Sequence, residues 1–212
     1  VDRRVWVIII AIILVLSFGF GYRLYEMGRD ITVENGGQTK GSGVATIGGP
    51  FTLVDQTGKT RTEQDFRGQY MLIYFGYTYC PDVCPTELQA ISNAMDLLPE
   101  DVARQVQPIF ISVDPERDTV AAMADYVPHF HPRLIGLTGT LEQTSAAAKA
   151  YRVYYVKAFE EGEPKDSDGY LVDHSSFIYL MGKDGAYIRH FNYGETPEKI
   201  AEGIEKVVET RE

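Results

Sequence analysis

Met71-Leu72-Ile73-Tyr74-Phe75-Gly76-Tyr77-Thr78-Tyr79-Cys80-Pro81-Asp82-Val83-Cys84-Pro85 joins an apolar run to a cysteine- and proline-bearing turn. The apolar run 71–75, stopped by Gly76, suits a central strand buried on both faces. Both cysteines of the chain follow at once, within one five-residue span. A proline after each disfavours the α region at the residue before it, so the pair is expected on a tight loop and not inside a helix. Residues 85–98 then carry Leu88, Ile91, Met95 and Leu98 at a helical period.

Outward from this core the pattern keeps alternating. Residues 51–55 and 60–62 flank the turn signal Gln56-Thr57-Gly58-Lys59 and read as a short hairpin. A second buried strand is expected at 109–113, a helix at 119–126, a short strand at 134–137, an alanine-rich helix at 141–151 and strand-like character at 153–158. Residues 177–181 and 186–190 flank Lys183-Asp184-Gly185, where Asp-Gly signals a hairpin. A closing helix covers 197–209 with Thr196 as its N-cap. Such an order implies an α/β fold, a mixed sheet covered by helices, with active groups at the carboxyl ends of the parallel strands. The cysteine loop leaves the strand at 71–75 at such an end.

The 212 residues allow one substantial domain and an extra segment. Residues 5–22 hold eighteen residues without a charge behind Arg3 and Arg4, close to the minimum length for a membrane span. An uncleaved anchor is favoured over a signal peptide, whose small-x-small cleavage site Ser17-Phe18-Gly19 matches only loosely. No cysteine follows the run, which removes the lipoprotein reading. The expected plan is an N-terminal transmembrane anchor at 1–25, a Gly/Ser-rich flexible linker at 26–47 and a globular domain at 48–212, lying outside the cytoplasm. The net charge of −10, with no basic stripe, argues against nucleic acid and suits docking to a basic face of a partner.

Two neighbouring thiols can close a disulfide, pass electrons, or offer two soft ligands to one metal ion. With Cys84 as N-cap, Pro85 takes the first helical position and Glu87 the third, where it can complete a capping box. Asp82 between the sulfurs raises thiol pKa values but favours a bound cation, which suits a metal site better than a purely reductive dithiol. A structural disulfide gains little from so short a loop. Among the four histidines, His190 reads as a strand-face residue and His129 and His131 as a surface turn. His174, beside Asp173 and ahead of an apolar strand, suits a third ligand oriented by a neighbouring carboxylate, with a capping histidine as the alternative. The acidic loop 160–168 flanks it and suits gating or docking.

The stretch from Gly76 to Leu88 closely resembles the signature of the Sco/SenC family, membrane-anchored, thioredoxin-like copper proteins needed to assemble cytochrome c oxidase. Further matches are Gly49-Pro50-Phe51-Thr52-Leu53, Asp65-Phe66-Arg67-Gly68, Ser112-Val113-Asp114-Pro115-Glu116-Arg117-Asp118-Thr119 and Asp173-His174-Ser175. The resemblance implies a thioredoxin-like fold, with Cys80, Cys84 and His174 as copper ligands and Asp82 and Asp173 around them. It implies a metallochaperone, not a turnover enzyme, for copper(I) or copper(II). The recipient would be the dinuclear copper centre of cytochrome c oxidase subunit II. Other copper chaperones or a thiol reductant are further expected partners. The expected location is the inner membrane, with the domain in the periplasm or, in a eukaryote, the intermembrane space. The rival function is a membrane-anchored thiol–disulfide reductase using Cys80 and Cys84 as its redox pair. A thiol peroxidase is disfavoured by the three-residue spacing and the lack of a second reactive-cysteine region.

Overall fold

The computed structural model describes residues 46–159 and 169–211. The expected anchor, nearly all of the expected linker and the acidic loop 160–168 lie outside the described residues. Among the described residues, no helix is long and apolar enough to cross a membrane.

The apolar run forms strand β3, Tyr70–Gly76, buried along its whole length. Beside it lies β4, Val106–Ser112, equally buried and parallel, followed by parallel β5, Ile135–Thr138. Continuous burial of β3 and β4 explains why their sequences do not alternate. On the other side of β3 runs antiparallel β8, Ile178–Met181, whose hairpin through Lys183-Asp184-Gly185 leads to β9, Tyr187–Phe191. The hairpin of β1, Thr52–Asp55, and β2, Thr60–Thr62, is joined through β1 to β5, giving a seven-stranded sheet in the order β2-β1-β5-β4-β3-β8-β9.

Helix α1, Val83–Leu97, packs against the closing helix α5, Pro197–Arg211. Between them in sequence are α2, Glu100–Ala103, α3, Val120–Tyr126, and α4, Leu141–Ala150. Helices α3 and α4 lie against the β1 and β5 side of the sheet. Thr119 caps α3, Thr140 caps α4 with a reciprocal Gln143 capping box, and Thr196 Oγ1 accepts from Lys199 N at the start of α5. The core gathers around β3, β4 and β8, with Leu72, Ile73, Tyr74, Phe110 and Leu180 fully buried.

One strand was unforeseen and one expectation is corrected. The strand-like segment near 155 forms β6, Tyr155–Ala158, and pairs with an unforeseen β7, Leu171–His174, in a separate two-stranded sheet. Helix α1 begins before Cys84: Asp82 occupies the N-cap position and Cys84 lies in the first turn, not on the loop. Pro85 is tolerated because first-turn N–H groups have no partner within the helix anyway.

Candidate metal centre

Strand β3 delivers the chain to Gly76, and Tyr77-Thr78-Tyr79-Cys80 turns away from the sheet's edge into α1. Cys80 is half-buried and Cys84 fully buried, and both thiols are free. The Cys84 backbone N–H donates to Cys80 Sγ at 3.3 Å, so the first helical turn uses a sulfur as its acceptor. Glu87 does not close a capping box. Its Oε1 accepts from Gly194 N at 3.0 Å, tying α1 to the chain leaving β9, and burial pushes its carboxyl pKa up.

His174 arrives from the end of β7 and sets Nε2 at 3.3 Å from Cys84 Sγ. Its Nδ1 lies 3.1 Å from the Ser175 carbonyl oxygen, an obligate acceptor, which assigns the ring proton to Nδ1 and leaves the Nε2 lone pair facing the sulfur. The orienting group is therefore a backbone carbonyl and not the Asp173 carboxylate. Tyr74 and Tyr77 hold the imidazole between ring edges at centroid distances of 6.1 and 6.0 Å. Asp82 and Asp173 are both exposed and line the mouth of a cleft of about 250 Å³ together with Tyr77, Cys80, Pro81, Val83, Leu171 and His174. That volume suits an ion and one incoming side chain better than an organic cofactor.

Electrostatics split the two thiols. The hydrogen bond from Cys84 lowers the Cys80 pKa far below its usual value; burial opposes this, and the Cys84 and Asp82 backbone N–H groups support it. The Cys84 thiol moves the opposite way, because it donates to that thiolate and is itself buried. The two thiols are thus unlike, with the more accessible Cys80 the readier to ionise.

The donor set is two sulfurs and one imidazole nitrogen, the chemistry that selects a soft or borderline ion. Around an ion in trigonal geometry, with bonds like those to zinc, a sulfur and a nitrogen ligand sit about 3.7 Å apart. The observed 3.3 Å is a few tenths of an ångström tighter. Among the described residues, no three His, Cys, Asp or Glu side chains already surround a common metal position. A small spreading of Cys80, Cys84 and His174, with the thiol proton lost, would fit the ion, and no other residue need move into the site.

The remaining histidines stand apart. His131 Nδ1 accepts from Arg133 N, and Nε2 lies 3.7 Å from Asp96, while burial lowers its pKa. His129 is exposed, and His190 packs on Phe177 and meets the Tyr187 hydroxyl at 2.6 Å. Several residues escaped the sequence reading. A Cβ at Gly76 would lie 2.9 Å from Cys84 Sγ, so this glycine makes room for the thiol. Asp118, fully buried, accepts from Thr78 N at 3.1 Å and from the Thr78 and Ser112 hydroxyls at 2.6 Å. The Tyr77 hydroxyl accepts from Val172 N at 3.1 Å. Their signals were membership of the family-like stretches 76–88 and 112–119 and position, at the carboxyl ends of two adjacent parallel strands.

The SCO1/SenC family model matches residues 39–209. The chain belongs to this family. It is 47% identical over 169 residues to the zebrafish (Danio rerio) "Protein SCO2 homolog, mitochondrial", covering 79% of this chain and 59% of that protein. The chain thus spans about three fifths of the length of the zebrafish protein and 48% of that of the SCO1 homolog 1 of Arabidopsis thaliana. Among solved structures, Bradyrhizobium japonicum ScoI with copper bound aligns at a TM-score of 0.67 and 45% identity, over 76% of this chain and 98% of that one. Arabidopsis thaliana ScoI with copper bound aligns at 0.69 and 42%, over 77% and 99%. The mixed α/β fold is thioredoxin-like, as the SCO1/SenC resemblance implied.

Proposed function

We propose that this SCO1/SenC domain binds copper through Cys80, Cys84 and His174 and hands it to the dinuclear copper site of cytochrome c oxidase subunit II during assembly. One observation carries the reading: an imidazole 90 positions away in the chain presents its lone pair to the inner cysteine at 3.3 Å. A dithiol reductase has no need of that nitrogen, whereas a three-donor site for a soft ion does. The copper-bound relatives ScoI of Bradyrhizobium and Arabidopsis support the choice of ion. A site of three donors keeps room for a ligand from the recipient, so the cargo can leave by exchange and not by release into water. Membrane tethering through residues 1–47 belongs to the same proposal, since a tether raises the effective concentration of the site near a membrane-bound recipient.

The test is titration of the reduced protein with copper(I) against a competing chelator. The parent should bind about one ion, and His174→Ala should lose tenfold or more in affinity, the scale of losing a ligand-shell group. Equal affinity in parent and variant would remove the three-donor site. In cells, the same variant should leave subunit II short of copper.

The split thiols favour a second use of the site. A half-exposed Cys80 thiolate backed by a buried Cys84 thiol is the arrangement needed to attack a disulfide and then release the mixed intermediate. The expected mark of that activity is reduction of an oxidised subunit II peptide that survives His174→Ala but not Cys80→Ser.

A further inference from the structure

The Cys–His site is built from two pieces of chain, the loop that leaves β3 and the ribbon strand that precedes β8. Strands β6 and β7 form a ribbon of four residues each, separate from the seven-stranded sheet. A two-stranded ribbon alone is marginal in water. Its docking sets where His174 meets Cys84.

We propose that Arg117 is the positioning residue of this site, clamping the His174 strand to the cysteine loop from the turn after β4. Arg117 Nε lies 2.5 Å from Asp114 Oδ2, and Nη1 donates to the Tyr170 carbonyl at 2.9 Å. The Tyr170 hydroxyl returns to Asp114 Oδ1 at 2.7 Å, and its ring centroid lies 3.7 Å from Arg117 Cζ. Arg117, Asp114 and Tyr170 thus close a ring of contacts at the residue directly before β7. The same guanidinium lies 4.8 Å from the Tyr79 ring centroid and 5.7 Å from that of Tyr77, both on the cysteine loop.

Its neighbours grip the same two pieces. Asp118 holds Thr78 of the cysteine loop, and Glu116 pairs with Lys157 of β6. The turn is rooted on β4, where the Ser112 hydroxyl accepts from Asp114 N and donates to Asp118. Arginine suits the role because one rigid, planar cation can hydrogen-bond a carboxylate and a carbonyl while stacking on aromatic faces. Lysine cannot do all three.

The first arm of the test needs no metal and so stands apart from the copper reading; the second rests on it. Amide hydrogen exchange is followed in the reduced parent, in Arg117→Lys, and in Asp114→Asn with Arg117→Met. The paired variant leaves no lone buried charge. In both, exchange at 155–158 and 171–174 should quicken about tenfold or more while β3 and β4 stay unchanged. Copper(I) affinity should fall about tenfold or more, and the same substitutions should cost nothing further in a His174→Ala background. Unchanged exchange in the ribbon would overturn the proposal. So would a uniform loss of protection across the sheet, unfolded variants included, or equal affinity losses with and without His174. A parent that takes up no copper(I) would sink the copper reading while leaving the exchange result to decide the clamp.

Discussion

Gly76 carries no side chain, and the Cys84 thiol fills the space where one would stand. A methyl there would lie 2.9 Å from Cys84 Sγ, 3.0 Å from Tyr74 Cε1 and 3.2 Å from Phe110 Cε2. All three neighbours are fully buried, so none can swing into solvent. Gly76→Ala should therefore lower the stability of the reduced protein by about 1–3 kcal/mol, the usual cost of overpacking. Urea unfolding checks this, and a midpoint equal to the parent's would show that the first turn of α1 yields freely. The same substitution presses on Cys84 and should weaken copper(I) binding although no ligand is changed. At this scale Cys80, Cys84 and His174, the residues of the proposed copper site, were legible as candidates, because donor chemistry is written in residue type. Its orientation was not: the Ser175 carbonyl that sets the imidazole tautomer is a main-chain group that any residue could supply.

At the scale of elements, the β1–β2 turn is organised by one carboxylate. Asp55 is buried and accepts from Thr57 N and Oγ1, Lys59 N and Arg61 Nε. Burial alone would raise its pKa, but these hydrogen bonds outweigh it and hold the group down to about 2. A folded-state pKa below the unfolded one adds stability that is complete above pH 4–5 and is lost as pH falls through about 2. The contribution is on the order of 2 kcal/mol at neutral pH. The stability difference between parent and Asp55→Asn should accordingly be flat from pH 7 to 5 and shrink steadily towards pH 2. A difference independent of pH would assign the turn's strength to shape and not to charge. Elsewhere, legibility tracked burial. Strands β3, β4 and β8 announced themselves as unbroken apolar runs because both faces are covered. Strand β7 did not, since Leu171 and Asp173 are exposed, only Val172 is buried, and its partner β6 is largely exposed as well. Its pairing is imposed by tertiary ties such as Val172 N to the Tyr77 hydroxyl, which no local period encodes. The start of α1 was misplaced for a like reason: spacing offered Glu87 as a cap partner, but a sulfur took the Cys84 N–H and Gly194 took the carboxylate.

Across the whole molecule, the site lies on a seam between regions of unequal stability. Cys84 packs against the end of β3, an interior strand of a seven-stranded sheet, while His174 rides on a two-stranded ribbon in which only Val172 is buried. Free energies of local opening rise with buried contact, so the two halves of the site should open separately. In the proposed copper site, one donor could then withdraw while the two sulfurs stay in place. In the metal-free reduced protein, amides of β3 and β4 should exchange only through global unfolding, with rates that climb steeply with added urea. Amides of 155–158 and 171–174 should exchange through a smaller opening, several kcal/mol below the global value, and respond weakly to urea. Copper(I) held by all three donors should raise the ribbon towards the core value, since an ion bound only to the closed form stabilises it by mass action. Binding through the two cysteines alone would leave the ribbon's exchange where it was. Exchange of the ribbon with and without copper(I) therefore reports directly whether His174 joins the sulfurs.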